Sequence, residues 1–180
     1  MKHKSISEAE CLQLLQEHQT PPHVIRHCAA VTAAALAIAK ALNEKGFAFD
    51  LELIQGAGLM HDIARAGKKH WLVGAKIAAR HGYVREAKII RKHMKHALRT
   101  DPKRLTELDM VCLGDRLVLE DRYVGLERRM QYALDKSKGH RRAQRAICAE
   151  KEAIHALLQK LEAIIGMPVE ALLESDEIFV

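Results

Sequence analysis

The chain has 180 residues, 48% of them hydrophobic, with 29 Lys and Arg against 23 Asp and Glu and a formal charge of +6. That length suits one compact domain with a sizeable core. With no apolar run of about 18 residues, no membrane span is expected, and the 4% aromatic content argues against a stacking platform for single-stranded nucleic acid.

The segment "MKHKSISEAECLQ" lacks the apolar centre of a secretory signal, so a cytoplasmic protein is expected. Cys11, Cys28, Cys112 and Cys148 form no C-x-x-C pair and fall in helical-looking segments; they read as reduced apolar fillers rather than a disulfide framework or zinc knuckle. The surplus of positive charge favours an anionic partner, either a phosphorylated small molecule or a nucleic acid.

Apolar residues recur at helical spacing almost throughout, which predicts an all-α fold. A first helix is expected over about 6–18, capped by Ser5 or Ser7. "QTPPHV" restarts the chain, with Thr20 as cap and Pro21 and Pro22 in a first turn. That second helix runs to Gly46, and Asp50 caps a third over about 51–64. A fourth takes "KHWLVGAKIAARHG" and stops at Gly82, where His81 suits the helix end. A fifth covers about 84–98. A sixth starts near 103 and continues, bent at Gly125, to about 135. "DKSKGH" is a turn, followed by a helix over about 140–165 and a short one over about 168–175. One domain is expected over 1–180, with a core of about 20–135 and a C-terminal helical extension of about 136–180.

Ionisable residues interrupt the apolar faces of five of these helices. Val24, His27, Val31, Ala34 and Ile38 form one stripe. Ile54, Gly58 and His61 share a face with Asp62 beside it, and Gly56 and Gly58 would let another helix come close. His70 aligns with Gly74 and Ile77, His93 follows Ile89 and Ile90, and Leu108, Val111, Asp115 and Val118 make a stripe broken by an aspartate. A lone buried aspartate costs several kcal/mol, roughly, unless paired or metal-bound. Shared coordination of a divalent cation is the economical solution. The minimal set is His27, His61, Asp62 and Asp115, spaced H-x33-HD-x52-D; His70 and His93 can add ligands for a second ion, with Asp62 as bridge. Two imidazoles and two carboxylates suit Mn, Fe, Co, Ni or Zn better than calcium. Taken singly, each residue has a bland reading: His27 as a core histidine, Asp115 as the partner of Arg116 or Arg122. His3, His18, His96, His140 and His155 read as solvated, and His23 has no clear role.

The order H…HD…D, with "GAGLMHDIAR", "KKHWLVGAKIAARHG", "IIRKHM" and "LDMVCLGDRLVLEDR", resembles the HD-domain superfamily of metal-dependent phosphohydrolases over about residues 20–135. Within it, the blocks are most similar to bacterial hydrolases of dinucleoside polyphosphates. Arg65, where lysine is usual, and Met94, where threonine is usual, depart from that branch. The resemblance implies an HD-type helical bundle with an additional C-terminal helix, and one or two divalent transition metal ions. It also implies hydrolysis of a phosphate ester or anhydride of a nucleotide by a metal-activated water.

Asp62 and Arg65 are the residues expected at the chemistry, Asp62 between two ions and Arg65 on a phosphate oxygen. Lys92 and His96 are expected to guide substrate; the remaining cations of 85–104 read as a solvated face. Two alternatives differ in class: a non-catalytic nucleotide-binding signalling module, and a basic nucleic-acid-binding protein with a structural metal. The amphipathic stretch "AICAEKEAIHALLQKLEAII" reads first as intramolecular packing, with a homodimer seam as the alternative.

Overall fold

Ser7 opens the first helix with a capping box. Its hydroxyl oxygen accepts from the Glu10 N–H at 3.3 Å, and the Glu10 carboxylate accepts from the Ser7 N–H at 2.9 Å. The computed structural model describes residues 5–175; His3 and the last five residues of the expected extension lie outside them. The described residues hold nine α-helices: α1 (Glu8–Glu17), α2 (Pro22–Glu44), α3 (Leu51–Met60), α4 (His70–Arg80), α5 (Val84–Lys92), α6 (Glu107–Asp115), α7 (Gly125–Lys136), α8 (Arg141–Ile165) and α9 (Val169–Ser175). A small antiparallel pair, β1 (Val118–Leu119) and β2 (Arg122–Tyr123), sets Val118 against Tyr123 and Leu119 against Arg122.

Local signals place several boundaries. Asp50 accepts from the Leu53 N–H at 3.1 Å and starts α3, and Gly46 takes a left-handed φ of +93° just past α2. Other boundaries depart from expectation. Thr20 does not cap α2; its hydroxyl donates to the Ile63 carbonyl at 2.8 Å, and Pro21 stands at the N-cap without a side-chain bond. The third helix stops at Met60. Beyond it Ile63, Arg65 and Gly67 bond back three residues, to Met60, Asp62 and Ala64, so "HD" sits in tight turns and not on a helix face. The fifth stops at Lys92 and passes into a 3₁₀ turn, His93–Lys95.

The expected long sixth helix is two helices separated by the β1–β2 hairpin. The Arg129 guanidinium explains the break: its Nε donates to the carbonyls of Asp115, at 3.2 Å, and Val118, at 3.0 Å. These are acceptors that a continuing helix would have bonded internally.

Helix α2 is the centre of the packing, against both α3 and α6, which also pack on each other. By length and composition it could cross a bilayer, but most of its surface is buried inside the bundle, the signature of a core helix. Two glycines allow the approach. A Cβ on Gly114 of α6 would lie 2.6 Å from the Val31 carbonyl oxygen of α2, and one on Gly58 of α3 would lie 2.5 Å from Thr32 Oγ1.

Two apolar clusters result. Ala34, Ile38, Ile54, Met110 and Leu113 belong to the larger; Leu15, Met60, Ile63, Ala78 and Ile90 belong to the smaller, with α3 contributing to both. Ile154, Leu157, Leu161 and Ile165 of α8 lie in the larger cluster, so the C-terminal helix is part of the core's packing. Cys11, Cys28 and Cys112 are buried, but Cys148 is exposed on α8 and is no filler.

Substituting Gly114→Ala should destabilise the protein by about 1–3 kcal/mol, because a backbone carbonyl cannot move aside as a side-chain tip can. Thermal or urea unfolding of that variant should show a clear loss. Gly74→Ala, which would meet only the ends of Ile63 and Ile90 at 3.0 and 3.2 Å, should lose less.

Candidate metal centre

Five helix ends meet at one place. His61 follows the last residue of α3, His93 follows the last residue of α5, and Asp115 is the last residue of α6; His70 is the first residue of α4, and His27 lies in the second turn of α2. Three of these are helix C-termini, whose carbonyl ends carry partial negative charge. Together with Asp62 and Asp115 they give the junction the negative potential that a cation site needs.

The imidazoles share one arrangement. His27 Nδ1 faces the Glu120 carbonyl at 2.6 Å, His61 Nδ1 the Gly58 carbonyl at 2.8 Å, and His93 Nδ1 the Ile90 carbonyl at 2.8 Å. A carbonyl can only accept, so Nδ1 carries the proton in each ring. The Nε2 atoms then turn toward carboxylates: His27 to Asp115 Oδ1 at 3.3 Å, His61 to Asp62 Oδ2 at 3.7 Å and His93 to Asp62 Oδ1 at 3.7 Å. His70 Nε2 is 3.1 Å from Asp62 Oδ1. With Nδ1–H already committed, only an imidazolium or a shared cation reconciles Nε2 with an anionic oxygen.

For His61 the proton is the poor choice. Burial, and the neighbouring His93 and His27, push its pKa down further than Asp62 and Asp115 raise it. Its Nε2 is buried without a hydrogen-bond partner, as is Asp62 Oδ1. Orphaned, desolvated ligand atoms with their opposite atoms held by carbonyls are what a metal site leaves.

The carboxylates stay ionised. Burial would raise the Asp62 carboxyl, but His61, His70, His93 and Arg65 reverse it and hold it well below the usual range. At Asp115 burial is likewise outweighed by the His27 hydrogen bond and by Arg116, His61 and Arg129. At His27, burial is outweighed by Asp115 and the Glu120 carbonyl, so its pKa is raised. A proton there would compete with a cation, so affinity for a metal held by His27 would weaken as pH falls.

Two donor groups emerge. The ligand atoms of His27, His61 and Asp115 lie within 4.8 Å of one another, and so do those of His61, Asp62 and His93. His61 belongs to both. His70 stands at the Asp62 end and also receives Arg65 Nη1 at 3.2 Å.

Above them opens a cleft of about 690 Å³. Arg65 lines it, about half exposed, with Nη1 3.5 Å from Asp62 Oδ2. His23, without a role in the sequence, also lines it. Lys92 is exposed and outside the cleft lining. His96 is turned away to Asp109, with Nε2 2.7 Å from Oδ1, so it is neither solvated nor at the cleft.

Several contributors lie outside the residues singled out from the sequence. Asp109 is fully buried and accepts from Thr106 and Arg99 as well as pairing with His96. It pins the segment that follows His93. The hairpin tip is held at two consecutive points on α2: Arg26 Nε donates to Asp121 at 2.9 Å, and His27 bonds the Glu120 carbonyl. Glu120 pays for this with a left-handed φ of +56°. Arg116 joins Asp115 at 2.8 Å to Glu150 of α8 at 2.9 Å. Thr106 and Asp109, three residues apart before an apolar run, carry the local spacing of a capping box, which the structure forms; nothing in the chain order pointed to the His96 and Arg99 contacts or to Arg129.

The family description "HD domain" matches residues 24–156, a span that includes all six metal-ligand candidates and ends within α8. An uncharacterized protein of Methanocaldococcus jannaschii is 41% identical over 64 residues, covering 34% of this chain and 38% of that protein. A tRNA (cytidine(56)-2'-O)-methyltransferase of Thermoplasma volcanium is 34% identical over 98 residues, covering 52% of this chain and 28% of the enzyme. The chain thus spans well under half the length of both relatives. No solved structure matches it.

Because His61 serves both donor groups, His61→Ala should lose bound metal from both, whereas His93→Ala should spare the group of His27, His61 and Asp115. Elemental analysis after loading with one divalent cation and desalting reads this; unchanged stoichiometry in His61→Ala would refute the shared-ligand arrangement. A second expectation concerns acid. Burial raises the Asp109 carboxyl, but Thr106, His96 and Arg99 more than offset it and the pKa is lowered. A depressed folded pKa gives stability that is present above the unfolded value of about 4 and is lost as pH falls through the folded value. The melting temperature of Asp109→Asn should therefore depend less on pH below about 4 than that of the parent.

Proposed function

The chain belongs to the HD-domain family, and on that premise we propose that it is a metal-dependent phosphohydrolase acting on a phosphate ester or anhydride of a nucleotide in the cytoplasm. One observation carries the proposal: three imidazoles, each with Nδ1 held by a backbone carbonyl, aim Nε2 at two buried carboxylates beneath an open cleft.

His27, His61, Asp62, His70, His93 and Asp115 would hold the cation or cations, and the mixed nitrogen and oxygen set favours Mn, Fe, Co, Ni or Zn. Such an ion supplies Lewis acidity and a nucleophile acidified at neutral pH. The chain's own residues do the rest. The Gly58, Ile90 and Glu120 carbonyls fix the ring tautomers. Asp62, within 3.7 Å of three imidazoles, supplies negative charge to the donor group it forms with His61 and His93. Arg65, half exposed at the cleft, can clamp a phosphate oxygen. Arg129, also in the lining, keeps Asp115 in place by holding its carbonyl.

A second reading has its own support. Lys136, Lys138, Arg141, Arg142 and Arg145 are all exposed where α7 passes into α8, and Asp135 neutralises only Lys138. A nucleic acid could lie there, and the Thermoplasma volcanium relative is named for a tRNA modification. Steeply salt-dependent binding that ignores chelator would favour it over the hydrolase reading.

Protein loaded with each divalent ion should hydrolyse members of a panel of nucleotides, dinucleoside polyphosphates and simple phosphate esters. Chelation should stop turnover and re-addition restore it. Asp62→Ala should lose metal and turnover together; hydrolysis that survived unchanged in that variant would reject the mechanism.

A further inference from the structure

The cleft has a wall that phosphate chemistry does not use. Among the described residues six large apolar side chains are exposed, and two of them, Met94 at 42% and Tyr132 at 37%, line this cleft. They arrive from separate elements: Met94 directly follows the candidate ligand His93, and Tyr132 projects from α7. Leu119 and Ala133 extend the same lining. The chain has only seven aromatic residues, three Tyr, three Phe and one Trp, so an exposed ring beside a charged centre is not a by-product of aromatic abundance. Lys136 Nζ stands 4.7 Å from the Tyr132 ring centroid, a cation–π contact on one face of a ring that is 37% exposed.

We propose that Tyr132, backed by Met94, is a stacking surface for the base of a nucleotide whose phosphates reach toward Asp62 and Arg65. This rests on the hydrolase reading for the placement of the phosphates and goes beyond it in naming what selects the substrate. A π face and a sulfur-containing side chain in the lining of one cleft suit a flat heteroaromatic ring. A lipid tail would need a continuous apolar wall, and here the apolar groups are interrupted by His23, Arg26 and Asp121. A cleft of about 690 Å³ falls within the ordinary range for small-molecule sites.

The test compares two non-hydrolysable probes on metal-loaded protein by calorimetry: methylenediphosphonate, and its adenosine 5′-ester. The parent protein should bind the adenosine ester about 5- to 100-fold more tightly, the usual contribution of one stacked base. Tyr132→Ala should bring that ratio close to one, Tyr132→Phe should keep it, and Tyr132→Leu, which retains bulk and guards against a folding defect, should lose it. A parent ratio near one, a ratio that survives in both Tyr132→Ala and Tyr132→Leu, or an equal loss of affinity for both probes would each overturn the proposal. If the ratio behaves as expected and the panel shows no turnover, the hydrolase reading fails and the stacking surface stands. If turnover is intact and the ratio is flat, the reverse holds.

Discussion

Two carboxylates, Asp62 and Asp115, lie almost out of solvent at the middle of a helical bundle, and the rest of the structure is arranged around keeping them charged. An isolated ionised carboxylate in such a place would neutralise itself. Here four imidazoles and three guanidinium groups surround the pair, and burial makes His61, the imidazole common to both donor groups, a poor proton acceptor. Three helix C-termini add further negative potential. The buried His61 Nε2 and Asp62 Oδ1, left without hydrogen-bond partners, would be satisfied most simply by a cation.

Bringing those groups together requires helices closer than ordinary side chains allow. Gly58 and Gly114 supply the room where α3 and α6 pack on α2, within one turn of His61 and directly beside Asp115. The glycines therefore act on the donor set through the backbone: a Cβ at either would separate helices whose ends carry the ligands. The same logic makes the hairpin functional. Its tip gives up a relaxed backbone at Glu120 so that a carbonyl can orient His27, and the neighbouring Arg26–Asp121 pair holds the tip on the helix that carries that histidine.

The cleft above combines two chemistries. Its buried side is anionic, with cationic arginines at the edge; its outer wall carries a thioether and an aromatic ring. Groups of both kinds are needed for a substrate with a charged end and a flat end. The C-terminal helix joins this arrangement by two routes, through the apolar side chains that complete the larger core cluster and through Glu150, which holds the Arg116 that holds Asp115.

Much of this was legible in the chain order. Helical periodicity specified an all-α bundle, Asp50 and Gly46 marked helix ends because capping is a local event, and the inward placement of His27, His61, His70, His93 and Asp115 followed from spacing alone. What spacing could not reach were interactions between residues far apart in sequence. Arg129 ends a helix fourteen residues upstream by taking the carbonyl of its last residue, Asp115. Thr20 abandons its cap for a carbonyl forty-three residues away. Asp109 collects His96 and Arg99 from the other side of a loop. Each lowers the free energy only after the chain has folded back on itself, so its partner has no signature in the local pattern. The sequence by itself determined which groups would be inside and of what chemistry; the tertiary structure decided which nitrogen faces which oxygen, because that depends on helix ends meeting within a few ångströms.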